Sequence, residues 1–183
     1  NSPESKIYHK SKVLYGIFHA KQAIAKQNNC FLVEGYTDVI QMHQAGIENV
    51  VANLGTSLTD KQILTLNQFF DDIIICFDGD ESGYKAALRA AENSIKELRP
   101  EKQISFLFLP DNEDPDSYVN KVGPDAFRAF VQSAKKDFIL FQLEVQLKEV
   151  GNDLNKKNSL VNQMAETLSK INKAEDFTKL QEY

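Results

Sequence analysis

Cysteine is scarce in these 183 residues: there are two, Cys30 and Cys76, with no CxxC pair and no histidine beside either. Each falls within an apolar run, so both read as core thiols rather than ligands of a structural zinc. Long hydrophobic runs are also lacking. None approaches the ~20 residues needed to cross a bilayer, and the opening NSPESKIYHK has no apolar stretch of the kind found in a secretory leader. The expectation is a cytoplasmic protein with no membrane partner. Internal repeats and low-complexity tracts are missing too.

With 42% hydrophobic and 26% charged residues, the composition is that of an ordinary globular chain rather than a disordered, collagenous or disulfide-stapled one. The length suits one α/β domain of ~100–150 residues plus a small appendage. The net charge of -5 conceals a steep gradient. Residues 1–26 carry a net +4, residues 27–120 a net -10, and residues 121–183 a net +1. Such asymmetry says more about partners than the total does.

Along the chain, strand patterns alternate with helical ones, which marks a mostly parallel α/β sheet flanked by helices. Strands are expected at residues 30–33, 49–54, 72–77 and 103–109. The run 72–77 is apolar on both faces and therefore central. Helices are expected at 36–44, after a cap at Ser57 or Thr59 with Ile63, Leu64, Leu66 and Phe70 buried, and at 84–98. A turn is expected at 55–57, and a polar loop at 110–116. Past Gly123 the strand patterns stop. Three helices follow at 124–134, 137–150 and 158–171, with apolar stripes of Phe138, Phe141, Leu143 and Leu147, and of Leu160, Met164, Leu168 and Ile171. This stretch reads as a small C-terminal helical subdomain.

Three acidic groups stand just past three of these strands: Glu34 with Asp38, Asp78 with Asp80, and Asp114 with Asp116. Sites in open parallel sheets form at the carboxyl ends of strands, so groups far apart in sequence would converge there. Carboxylates brought that close repel one another and must bind protons or recruit cations. All-oxygen donors select Mg²⁺ or Mn²⁺, and two such ions can support in-line phosphoryl or nucleotidyl transfer. The same acids could instead be solvated surface turns. Gly35, Gly79 and Gly83 beside them would allow sharp turns and the close approach of a phosphate.

These residues resemble the Toprim domain, the metal-binding module shared by bacterial primases, topoisomerases and some nucleases. The strings Glu34-Gly35-Tyr36-Thr37-Asp38-Val39 and Phe77-Asp78-Gly79-Asp80-Glu81-Ser82-Gly83 are similar to those of the bacterial replicative primase family. So are the stretch 109–116 and the lead-in at 2–16. The resemblance implies a Toprim domain over residues 30–122, preceded at 1–29 by the remnant of a basic N-terminal subdomain and followed at 123–183 by the helical subdomain. It also implies a DNA-directed RNA polymerase that makes short RNA primers in the bacterial cytoplasm, at the replication fork. Glu34, Asp78 and Asp80 would be catalytic. Together with Asp114 and Asp116 they would hold Mg²⁺, for which Mn²⁺ can substitute, and Asp38 would support the site. Lys10, Lys12 and His9 would face nucleotide phosphates or template. The implied partners are single-stranded DNA, ribonucleoside triphosphates, the primer–template hybrid and, through a domain not in this chain, the replicative helicase.

The zinc-binding domain of that family is missing here, and so is most of its basic subdomain, so the sequence reads as a fragment. Two other readings remain. One is a metal- and nucleotide-binding module that is inactive alone. The other is a phosphatase of the haloacid dehalogenase type, which would use the Asp78 pair; that chemistry places its pair after the first strand of the domain, whereas here it follows the third.

Overall fold

The computed structural model describes residues 5, 9–23, 27–53, 58–94, 101–110, 112–151 and 153–169. The expected turn at 55–57, the last residues of the expected helix at 84–98, Asp111 and Ile171 lie outside them.

Five strands form one sheet in the order β2-β1-β3-β4-β5. They are β1 (Asn29–Val33), β2 (Val50–Ala52), β3 (Asp72–Phe77), β4 (Gln103–Phe108) and β5 (Lys136–Asp137). The first four run parallel, with Cys30 opposite Ile73 and Cys76 opposite Leu107. Parallel neighbours require a crossover between them. Helix α1 (Ile17–Ala23) precedes the sheet, and the crossovers are α2 (Tyr36–Gln44), α3 (Asp60–Asn67) and α4 (Glu81–Ser94). The expected α/β class and the central position of β3 are what the structure has.

Because side chains alternate along a strand, the sheet feeds two cores. On one face Cys30, Leu32, Ile73, Ile75, Phe77, Ile104 and Phe106 pack against α3 and α4. On the other, Phe31, Val33, Ile74, Cys76 and Leu107 pack against α2. Both cysteines are free and buried.

The helices after β4 and past Gly123 join the same two cores. Helix α5 (Pro115–Val122) and α6 (Pro124–Ala134) bring Val119, Phe127 and Val131 to the α2 face. Helix α7 (Phe138–Val150) brings Phe138, Phe141 and Val145 to the opposite face. Between them, β5 pairs antiparallel with β4 through Asp137 and Lys136, which corrects the expectation that strands end before Gly123. Two residues carry no readable period, so the pairing had no sequence signal.

The apolar stripes need two further corrections. Leu64 is 40% exposed, because the inward face of α3 is set by Ile63, Leu66 and Phe70. In α7 the third inward position is Val145, while Leu147 is 41% exposed; the helix starts at Phe138, and the face through Phe138 and Phe141 continues at 145. Helix α8 (Leu154–Ser169) begins four residues before its expected start, with Leu160 buried.

Aromatic rings tie α7 to the sheet. Phe106 and Phe141 meet edge to face at 4.9 Å between centroids, and Phe106 also contacts Phe77 and Phe138. Phe106 is fully buried, so Phe106→Ala is expected to cost about 3–5 kcal/mol. Urea unfolding measures this, and a loss below about 1 kcal/mol would contradict the packing.

Candidate metal centre

All four parallel strands end at one edge of the sheet, and the acids lie there. Glu34 follows β1 and Asp78 follows β3 directly. The other acids are built into helix starts. Asp38 is the third residue of α2, and its Oδ2 accepts the Gly35 N–H at 3.0 Å. Asp80 precedes α4 and accepts the Gly83 N–H at 2.7 Å. Asp114 caps α5 and accepts the Ser117 N–H at 2.7 Å. Three helices therefore begin, with their positive dipole ends, along the same edge of the sheet. Each bond engages one carboxylate oxygen and leaves the second available. Asp116 lies in the first turn of α5 rather than in the expected loop at 110–116, and accepts Asn120 Nδ2 at 2.6 Å. Pro115 starts the helix, since its fixed φ suits the first turn.

Two glycines hold this edge together by what they lack. A Cβ on Gly79 would lie 2.1 Å from the Leu109 carbonyl oxygen, and one on Gly83 would lie 2.2 Å from that of Asp78. The turn after β3 thus rests against the loop after β4, and the Gly79 N–H donates to the Glu113 carbonyl at 3.2 Å.

The structure brings the acids into one electrostatic unit. Burial raises the pKa of Glu34, reinforced by Asp78, Asp38 and Asp80 and opposed by Arg89. Burial also pushes Asp38 up to about 6, with Asp114, Asp78 and Asp116 adding to the rise against the pull of the Gly35 N–H. Asp78 rises through burial, Asp114 and Asp80. Among the described residues, no group of three His, Cys, Asp or Glu side chains already stands as a closed cage. The donors fit a divalent ion by their chemistry: all are carboxylate oxygens, and the charges acting on Asp38 and Asp78 are all carboxylates. Glu34, Asp78, Asp80, Asp114 and Asp116 are the residues that would hold hard cations.

The lead-in residues His9, Lys10 and Lys12 form a turn held onto the start of α3. Gln62, fully buried, donates through Nε2 to the Lys10 carbonyl at 3.1 Å and to that of Val13 at 3.0 Å. Thr59, the helix cap in place of the alternative Ser57, donates through Oγ1 to the Ser11 carbonyl at 2.7 Å. Tyr15 then pairs with Ala52 at the end of β2, and its ring meets Tyr36 at 6.1 Å. The basic segment thus flanks the acids on the β2 side of the same edge. His43 is half-buried on α2 with its ring 6.2 Å from His19.

Two residues escaped the sequence analysis. A cleft of about 270 Å³ beside α4, at the ends of β1 and β3, has Glu34, Asn53 and Arg89 in its lining. The signal for Arg89 was weak: an arginine between Ala86 and Ala90, small residues that leave room beside it.

The raised carboxyls set a pH dependence. A carboxyl whose folded pKa lies above its unfolded value binds its proton first in the folded state. Its charge therefore costs stability at neutral pH, and the cost fades as pH falls through about 6 toward 4. Asp38→Asn keeps the acceptor for Gly35 and removes the charge. In EDTA at pH 7.5 the variant is expected to be more stable than the parent by up to about 3 kcal/mol, with the gap closing toward pH 4. A gap that ignores pH in chemical denaturation would refute this.

Comparison with known proteins places the geometry. Residues 28–108 match the Toprim domain family. The DNA primase of Pseudomonas aeruginosa is 42% identical over 172 residues, covering 93% of this chain and 26% of that protein. The DNA primase of Escherichia coli strain K12 is 45% identical over 134 residues, covering 73% and 23% respectively. The solved structure of the DnaG primase catalytic domain bound to ssDNA superposes with a TM-score of 0.91 at 35% identity, covering 100% of this chain and 59% of that one. The chain spans about a quarter of the length of the curated relatives it matches. Residues 28–108 are a Toprim domain, and the chain is a homologue of the bacterial DNA primases over the part of them that it spans.

Proposed function

We propose that this chain is the metal-binding catalytic part of a DNA-directed RNA polymerase that makes short RNA primers on single-stranded DNA. The observation that carries the proposal is the acidic edge itself: carboxylates from three strand ends act on one another in a homologue of DNA primases. Glu34, Asp78, Asp80, Asp114 and Asp116 hold Mg²⁺, and Asp38 fixes the entry into α2. When bound, paired ions of this kind activate an attacking hydroxyl and stabilise a leaving pyrophosphate. The chain's own part is to fix the acids at strand ends and helix starts, and to keep Lys10, Lys12 and His9 beside them for nucleotide phosphates or template. That a similar catalytic domain has been solved bound to ssDNA supports a single-stranded template as ligand.

A second reading is that the chain binds metal and nucleotide but needs further parts of the enzyme to make primers. Its span of just over half of the solved catalytic core favours this, since grip on a template accumulates from many phosphate contacts.

Mn²⁺ titration followed by electron paramagnetic resonance tests the metal assignment. Asn is as good a helix cap as Asp, so Asp78→Asn/Asp80→Asn is expected to fold while losing at least about tenfold in Mn²⁺ affinity. Equal affinity in variant and parent would sink the assignment. Priming on a single-stranded template with ribonucleoside triphosphates then separates the two readings.

A further inference from the structure

The cleft beside α4 meets the acidic edge at Glu34. Its floor is apolar, formed by Leu32, Ile75 and Phe77, with Leu58 at the side. Arg89 lies in its lining with Glu34. Among the described residues, two cations near this part of the fold are committed to acids: Lys85 to Glu81 at 2.6 Å and Lys121 to Glu113 at 2.7 Å. Arg89 instead acts on Glu34 through space, and its side chain is exposed.

We propose that Arg89 is a phosphate-binding residue, whose guanidinium takes an oxyanion of the polyphosphate tail of a nucleotide bound over the acidic edge. The inference rests on the metal-dependent reading above and deepens it. A triphosphate brings about four negative charges to a place already crowded with carboxylates, so ions held by those carboxylates are aided by a fixed cation at its border. Arginine suits the task, because its planar fork matches phosphate oxygens two at a time and stays charged at any working pH. The apolar floor excludes water on one side and strengthens the pair by lowering the local dielectric. The same chemistry would accept a backbone phosphate of a nucleic acid; proximity to Glu34 favours the nucleotide tail.

The test uses the Mn²⁺-loaded protein and two probes, inorganic pyrophosphate and an oligodeoxythymidylate with a 5′-hydroxyl end, titrated by calorimetry. Arg89→Ala is expected to weaken pyrophosphate binding about 10- to 100-fold, with Arg89→Lys restoring part of it. Mn²⁺ affinity and oligonucleotide affinity are expected to stay within about twofold. Should Arg89→Ala fail to fold, Arg89→Gln, which keeps most of the stem, carries the same expectation. Unchanged pyrophosphate affinity overturns the proposal. So does an equal fall in Mn²⁺ affinity, which would make Arg89 a support for Glu34 alone, and so does a fall confined to the oligonucleotide. A parent protein that binds no Mn²⁺ overturns the metal reading and this one together.

Discussion

Parallel pairing of β1, β2, β3 and β4 is the constraint on which the rest of the structure depends. Each parallel strand needs a helix to carry the chain back, so every strand ends, and the helix after it begins, at one edge of the sheet. That geometry gathers acids from residues 34, 78 and 114 without any contact between them in sequence. It also supplies the helix N-termini that make the gathering tolerable. Asp38, Asp80 and Asp114 each spend one oxygen on a helix start, so the repulsion among them is partly met by backbone dipoles before any ion arrives.

The offset is incomplete. Glu34, Asp38 and Asp78 all have raised pKa values, with burial the leading cause in each. The sheet beneath carries that strain because its two cores are dense and independent, one closed by α3, α4 and α7 and the other by α2, α5 and α6. Activity placed at the end of a rigid parallel sheet is a general solution: the scaffold holds positions that the side chains by themselves would not adopt.

Much of this was legible in the sequence because one-dimensional patterns dictated it. The run Ile73, Ile74, Ile75 can only be a strand covered on both faces, and Glu34, Asp78 and Asp114 each follow a strand signal. Gly79 and Gly83 suggest sharp turns, but the constraint on each, a carbonyl oxygen lying where a Cβ would be, needs three dimensions. Gln62 gave no hint that its amide fastens the basic lead-in, since a glutamine one turn into a helix normally faces water. The strand β5 is too short to have a period, and Arg89 acquires meaning only once α4 is laid beside β1. Gly83 apart, which meets the Asp78 carbonyl five residues back, what the sequence could not show is a contact between segments about 30 or more residues apart.

The close approach of Gly79 to Leu109 has a further consequence. The acidic turn after β3 and the loop leading to Asp114 touch through backbone atoms, with no side chain between them to flex. They therefore travel as a single jaw, and the spacing between Asp78 and Asp114 is set by the chain's own skeleton. The β1 turn with Glu34 has no such backbone link to that jaw among the described contacts; its Gly35 is fastened to α2 through Asp38, so the position of Glu34 is set separately from those of Asp78 and Asp114.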